Sequence, residues 1–209
     1  MNLVYRHFKR VIDVVGAVFG LIIFSPLLLI VAILIRLTMG KPVLFKQIRP
    51  GLYERPFTIY KFRTMSNVQT TQGKLLSDEA RLTKLGALLR RTSLDELPEL
   101  WNVLRGDMSL VGPRPLYTKY LPYYSSRERL RHAVRPGITG LAQVSGRNLV
   151  DWDKRLELDV QYVKNMSLAL DIKILLLTVL KVLKKEGVAL QNISDLDLHR
   201  KEMRGENLG

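Results

Sequence analysis

The chain has no cysteine among its 209 residues and only three histidines, His7, His132 and His199. The first absence excludes a thiol nucleophile, a cysteine-held metal and a disulfide framework. The histidines show no pairing suggestive of a zinc site. Acidic residues are scarce as well, 19 against 33 basic ones, for a net charge of +14. A surplus of that sign asks for an anionic counterpart: nucleic acid, anionic lipid or a phosphorylated substrate. Anionic lipid fits best, since each basic residue near a cytoplasmic leaflet contributes on the order of 1 kcal/mol of attraction. Charge is the only argument for nucleic acid, and no base-reading motif accompanies it, so no nucleic-acid partner is expected. There is no internal repeat and no low-complexity segment, and the length suits one compact domain beside an anchor.

Charge is also missing from one long stretch. Val14 to Ile35 is 22 residues without a charged side chain, about the number that crosses a bilayer as a helix. Arg6, Lys9 and Arg10 precede it; Arg36, Lys41, Lys46 and Arg49 follow it. Basic flanks tend to stay on the cytoplasmic side. Pro26 cannot donate to the Ile22 carbonyl, and its ring crowds that turn; the Ser25 hydroxyl is close enough to satisfy the orphaned oxygen. Two basic flanks and a central Ser25-Pro26 predict a re-entrant helix, broken there, that enters one leaflet and returns. A proline-kinked transmembrane helix competes. A cleaved signal fits poorly, because the run exceeds the roughly 7–15 residues of a signal core and no small-residue cleavage site follows. A buried core helix this uniformly apolar is uncommon in a small domain.

The remainder reads as α+β and helix-dominated. Residues 43–49 and 57–62 are β-prone around Pro50-Gly51 and predict a small hairpin. Residues 66–78 are polar loop. Leucines at helical spacing predict a helix over 79–91, a second through Leu104, and a short charged one at 125–133. Two proline-rich turns lie between, Gly112-Pro113-Arg114-Pro115 and Arg135-Pro136-Gly137. Residues 151–165 and 168–185 are helical. The second of these sets Ile172, Leu175, Leu176, Val179 and Leu183 against Lys173, Lys181, Lys184 and Lys185, the composition of an interfacial amphipathic helix. The expected organisation is a membrane anchor at 1–39, a cytoplasmic catalytic domain at 40–187 and a polar tail at 188–209.

Asp95-Glu96 is the densest candidate for chemistry. Ser93 and Glu96 also fit a capping box, but Pro98 would then stand inside the helix, so local rules conflict around Asp95. Arginines crowd the nearby turn segments: Arg63, Arg90, Arg91, Arg105, Arg114, Arg135 and Arg147. Arginine held beside glycine or proline suits bidentate contact with phosphate. Gly137-Ile138-Thr139-Gly140 and Gly146-Arg147-Asn148 add backbone able to approach an anion. Two carboxylates facing a polyphosphate ask for Mg²⁺.

Four segments in this order carry a specific resemblance. They are Lys61-Phe62-Arg63-Thr64-Met65, Ser93-Leu94-Asp95-Glu96-Leu97-Pro98, Gly106-Asp107-Met108-Ser109-Leu110-Val111-Gly112-Pro113-Arg114-Pro115, and Arg135-Pro136-Gly137-Ile138-Thr139-Gly140. Over about residues 3–187 the chain resembles the bacterial sugar transferases, monotopic polyprenyl-phosphate phosphoglycosyl transferases, and among them the short PglC-type members. Leu141 and Ser145 depart from the tryptophan and asparagine seen in some short relatives, which bears on substrate choice. The resemblance implies transfer of a sugar phosphate from a UDP-sugar to a membrane polyprenyl phosphate (undecaprenyl phosphate) with release of UMP. It implies that Asp95 is the nucleophile, that Glu96 completes the dyad, and that Ser25-Pro26 is the helix break. Arg114 and Arg147, with Arg63 and Arg90 behind them, are the expected phosphate contacts, and Asp95 and Glu96 the expected Mg²⁺ ligands. The expected location is the cytoplasmic face of the inner membrane, with insertion into one leaflet. The rival reading is a non-enzymatic, membrane-anchored module that binds anionic lipid.

Overall fold

The computed structural model describes residues 3–68, 72–146, 151–184 and 195–203. Helix α1 (Leu3–Met39) carries the apolar stretch. At 1.5 Å per residue its 37 residues amount to about 55 Å of helix, longer than the roughly 30 Å hydrocarbon core. The chain stays helical through Pro26, whereas the sequence reading places a break there. The local reason is visible: Ser25 Oγ donates to the Ile22 carbonyl at 2.8 Å, so the oxygen orphaned by proline is satisfied without unwinding.

Only one stripe of α1 faces protein. Ala17, Val31 and Ile35 are buried, while Phe19, Ile22, Ile23, Leu29, Ile30 and Leu37 are exposed. Both halves of the helix rest on the same body. Ala17 packs with Leu100, Val103 and Met108, and Val31 and Ile35 pack with Phe62 and Leu89. Glycine permits the first contact, since a Cβ at Gly16 would lie 2.6 Å from Leu110 Cδ1. The charged end of α1 is clasped by a buried polar cluster. Lys9 pairs with Asp171, Tyr162 and Tyr5 donate to the same carboxylate, and Asp13 accepts the Leu110 amide at 2.9 Å.

The hairpin forms where the branched and aromatic residues predict it. β1 (Leu44–Pro50) pairs antiparallel with β2 (Pro56–Phe62), with Gln47 opposite Ile59. The helix expected over 79–91 is two: α2 (Asp78–Arg81) and α3 (Lys84–Thr92). Leu82 leaves the helix to bridge with Met65, and Thr83 restarts it by accepting the Gly86 amide at 2.9 Å. α4 (Glu99–Arg105) docks on β2 through the fully buried Asn102. Its side chain donates to Thr58 O at 2.7 Å and accepts from Tyr60 N at 3.1 Å.

β3 (Ser109–Val111) and β4 (Gly137–Thr139) form a short parallel pair, Ser109 opposite Gly137. This pairing explains the glycines of the two proline-rich turns. A Cβ at Gly137 would stand 2.1 Å from Gly112 N, and one at Gly140 2.2 Å from Gly112 O. These glycines bring backbone to backbone, not backbone to an anion as the sequence reading has it. The charged segment near 125–133 is 3-10 over Glu128–Ala133. After α5 (Leu141–Ser145) come α6 (Trp152–Asn165) and α7 (Leu168–Lys184).

α7 packs Ile174, Leu170, Leu175 and Leu177 into the core and also exposes a second apolar stripe. Asp171 and Ile174 are buried, with Thr178 and Lys181 half-buried along the same stripe. Ile172, Leu176, Val179, Leu180 and Leu183 are exposed. Lys181 therefore lies opposite the exposed Ile172, Leu176, Val179 and Leu183, as the sequence reading sets it, and on the inward stripe. The tail expected to be loose contains α8 (Leu196–Met203). Leu196 is fully buried against Tyr120, Trp152 and Leu156, and Tyr120 donates to Asp195 at 2.8 Å.

Candidate active site

Asp95 and Glu96 lie in a single 3-10 turn, Leu94–Glu96, between α3 and α4. The capping box read from the sequence does not form. Ser93 ends α3 in the left-handed region (φ 56°) and makes no side-chain cap bond. Pro98 immediately precedes α4, where its missing N–H is harmless. Ser93 is thus a non-glycine residue held at positive φ two positions before the nucleophile candidate, a conformation costing about 1–2 kcal/mol. It turns the chain so that the two neighbouring carboxylates meet different partners.

Glu96 is taken up by cations. Lys61 Nζ and Arg114 Nη2 each stand 2.6 Å from Glu96 Oε1. Burial by itself would raise this carboxyl, but Arg114 and Lys61 outweigh it and hold Glu96 far below the usual carboxylate range. Asp95 is different. It is buried, and no described residue forms an ion pair or a hydrogen bond with its carboxylate. Desolvation, and then repulsion from Glu96, push its pKa up to about 6 against the pull of Lys61, Arg114 and Arg90. The dyad is one neutralised carboxylate beside one that is bare.

A third carboxylate, which the sequence reading missed, completes the group. Glu99 is buried in the first turn of α4, with Oε1 3.1 Å from Lys61 Nζ. Burial raises it to about 7, with Lys61 pulling down and Glu96 pushing up. Lys61 therefore bridges two carboxylates. It comes from β2, one strand of the hairpin, so no sequence spacing links it to Glu96 or Glu99. Its only signal was its place in the Lys61–Met65 segment.

The expected phosphate contacts divide. Arg114 is in the site, and its own backbone is fixed: Arg131, in a buried pair with Asp159 at 2.8 Å, donates to Arg114 O at 2.7 Å. Arg90 Nε donates to Thr64 Oγ1 at 3.0 Å, and its charge bears on Asp95. Arg63 is a correction. Its guanidinium donates to the carbonyls of Met39, Gly40 and Lys41, so it caps the C-terminus of α1, where a cation complements the helix dipole. Arg135 and Arg10 do the same for α4, donating to Gly106 O at 2.8 Å and to Val103 O at 2.6 Å. Arg147 lies outside the described residues. Arg49, half-buried, lies flat on Tyr117 with Cζ 3.8 Å from the ring centre, and Arg114 is among the charges acting on it. The site thus carries more cations than its carboxylates neutralise.

The donor set also bears on a divalent cation. No group of three or more acidic, histidine or cysteine side chains suited to a metal occurs among the described residues. Magnesium does not require one; it is commonly held by one or two carboxylates with substrate phosphates and retained waters. Asp95, bare and beside Glu96, fits that mode.

The family model described as bacterial sugar transferase matches residues 4–185. An uncharacterized sugar transferase, EpsL of Bacillus subtilis, is 55% identical over 184 residues, 88% of this chain and 91% of its own length. A UDP-glucose:undecaprenyl-phosphate glucose-1-phosphate transferase of Caulobacter vibrioides is 45% identical over 191 residues, 86% of this chain and 71% of its own. A UDP-N-acetylgalactosamine-undecaprenyl-phosphate N-acetylgalactosaminephosphotransferase of Aeromonas hydrophila is 40% identical over 196 residues, 88% of this chain but 45% of its own.

Proposed function

The chain belongs to the bacterial sugar transferase family and is a transferase, and we propose that it moves a sugar-1-phosphate from a UDP-sugar to undecaprenyl phosphate through a covalent adduct on Asp95. The observation that carries the reading is the division of charge in the 3-10 turn. Glu96 holds two cations, and Asp95 is left without a direct partner. A carboxylate with no hydrogen bond to lose is the better nucleophile, and covalent catalysis splits one difficult displacement into two.

An Asp95 oxygen attacks the sugar-bearing phosphorus, the bond from that phosphorus to the bridging oxygen breaks, and UMP leaves. A phosphate oxygen of the lipid then attacks the same phosphorus. The acyl phosphate bond breaks, the lipid-linked diphosphosugar forms, and Asp95 is again a carboxylate. Arg114, with Arg90 beside it, binds the donor diphosphate in fixed geometry. Glu96 is a positioning residue: it holds Arg114 and Lys61 next to Asp95, where their charge is already in place as negative charge builds on the phosphoryl oxygens. Asp95 and Glu96, together with the donor's phosphates, would hold Mg²⁺, which would supply further neutralisation of the pyrophosphate.

The setting is the cytoplasmic face of the inner membrane. One helix is long and apolar enough to cross a bilayer, yet its two halves pack on one body. α7 turns an apolar side outward, and exposed apolar stripes of that kind mark a lipid contact. A helix that bends at Pro26 without unwinding, entering one leaflet and returning, with α7 lying in the interface, sets the Asp95 turn at headgroup depth.

The test is UMP release over a panel of UDP-glucose, UDP-galactose and UDP-N-acetylgalactosamine with undecaprenyl phosphate and Mg²⁺. One donor should turn over, and Asp95→Asn should cost at least about 10³-fold while the protein stays in the membrane fraction. Near-normal turnover by that variant, or lipid binding without UMP release from any donor, would refute the reading.

A further inference from the structure

A cavity of about 270 Å³ opens beside Glu96, between α1, α5 and α7. At roughly 30 Å³ per water this is room for about nine waters, and it falls below the roughly 300–1,000 Å³ of sites that enclose a drug-sized ligand. One wall is apolar and belongs to α1: Gly16, Gly20 and Phe24. The opposite wall carries Thr178 and Lys181 of α7 and Gln143 of α5.

Each polar group here is unusual. Lys181 sits on the inward stripe of α7, i+7 from the buried Ile174, and no described residue pairs with it. The Gln143 amide donates to Ile138 O at 2.9 Å, while its Oε1 is buried without a partner. Thr178 Oγ1 is bonded to Ile174 O and lies 2.7 Å from Thr139 Oγ1. Lys181 is half-buried and faces the cleft, and the buried orphan acceptor beside it is costly unless something absent from the protein completes it.

Resting on the transferase reading above, we infer that this cavity seats the lipid acceptor: Lys181 takes its phosphate monoester, and the glycine-and-phenylalanine wall of α1 takes the first isoprenoid unit. The chemistry of the walls selects among phosphorylated ligands. A nucleotide sugar is too large for the volume and finds no second cation among the described lining residues, which do not include Arg114, Arg90 or Arg49. A prenyl phosphate needs one compact cation and an apolar surface, and lysine supplies three donors to a single anionic group. A phosphate hydroxyl, or a water carried with it, completes Gln143 Oε1. The chain of the lipid leaves along the apolar helix from which the wall is built.

The cysteine-free chain allows a direct test. Val182, which also lines the cavity, is replaced as Val182→Cys and labelled with a maleimide in the full-length protein in vesicles. Farnesyl phosphate is expected to slow labelling, with farnesol and inorganic phosphate ineffective, and Lys181→Ala on that background should remove the protection. Protection by UDP instead, equal protection by phosphatidylglycerol vesicles without prenyl phosphate, or none at all overturns the assignment. In turnover, Lys181→Ala should raise KM for undecaprenyl phosphate about tenfold, with KM for the UDP-sugar moving less than about twofold and Lys181→Arg recovering most of the loss. Parallel rises in both KM values would show a structural role and refute it. The covalent reading is scored separately, by whether the wild-type enzyme releases one equivalent of UMP without acceptor; the labelling result does not depend on it.

Discussion

Two adjacent carboxylates behave oppositely here because of what reaches them. Glu96 meets Lys61 from β2 and Arg114 from the turn after β3; Asp95 meets neither directly. The pKa near 6 at Asp95 lets it act as a carboxylate at neutral pH and predicts an acid limb. If Asp95 acts as proposed, the transfer rate should fall as pH drops through about 6, where its carboxylate protonates. Arg114 is one of the charges that lower Asp95, so Arg114→Ala should move that limb to higher pH as well as slow turnover. A pH–rate profile of both proteins checks it, and an unmoved limb would assign the titration to another group. Stability has the opposite sign. A carboxyl whose folded pKa is raised stabilises the fold below its unfolded value, and that contribution is lost as pH rises through about 6. Asp95 is therefore a site where function is kept at some expense of stability.

Among the elements, the arginines show how little a residue type says without its neighbours. Arg63, Arg135 and Arg10 end helices by donating to terminal carbonyls, a task as suited to a planar cation as phosphate binding is. Gly112, Gly137 and Gly140 serve the β3–β4 contact and through it the position of Arg114. α8 shows the same dependence on context. Its polar composition reads as a tail, yet one leucine closes the cluster of Tyr120, Trp152 and Leu156. Leu196→Ala should destabilise the protein by about 2–5 kcal/mol, the range for emptying a buried leucine site. Denaturant unfolding in detergent measures this, and a change below about 0.5 kcal/mol would mean that α8 does not hold that core.

For the whole molecule, the arrangement of α1 against one body decides how the enzyme meets lipid. With no native thiol, single cysteines at residues 4 and 42 can be labelled from either side of sealed vesicles. Both should react from one side, since a re-entrant helix returns to its own face; labelling from opposite sides would establish a spanning helix. The clasp of Lys9, Asp171, Tyr162 and Tyr5 anchors the entering end to α7, so the helix and the inward stripe bearing Lys181 keep a fixed relation. That relation brings a cation of α7 and the glycine side of α1 to the same cleft beside Glu96.

The sequence by itself determined the apolar helix, the hairpin and the Asp95-Glu96 turn, because each rests on local grammar: an uncharged run, branched residues around a Pro-Gly turn, acids set between two helices. It also held the family resemblance, carried by short contiguous segments. Tertiary structure alone decided which cations reach Glu96, that Glu99 and Lys61 join the group, that Arg63 is a helix cap, and which side of α7 faces inward. Those outcomes depend on Coulomb partners and burial between separate elements, 18 positions apart for Arg114 and Glu96 and 35 for Lys61 and Glu96, and a charge's partner at that range is chosen by packing.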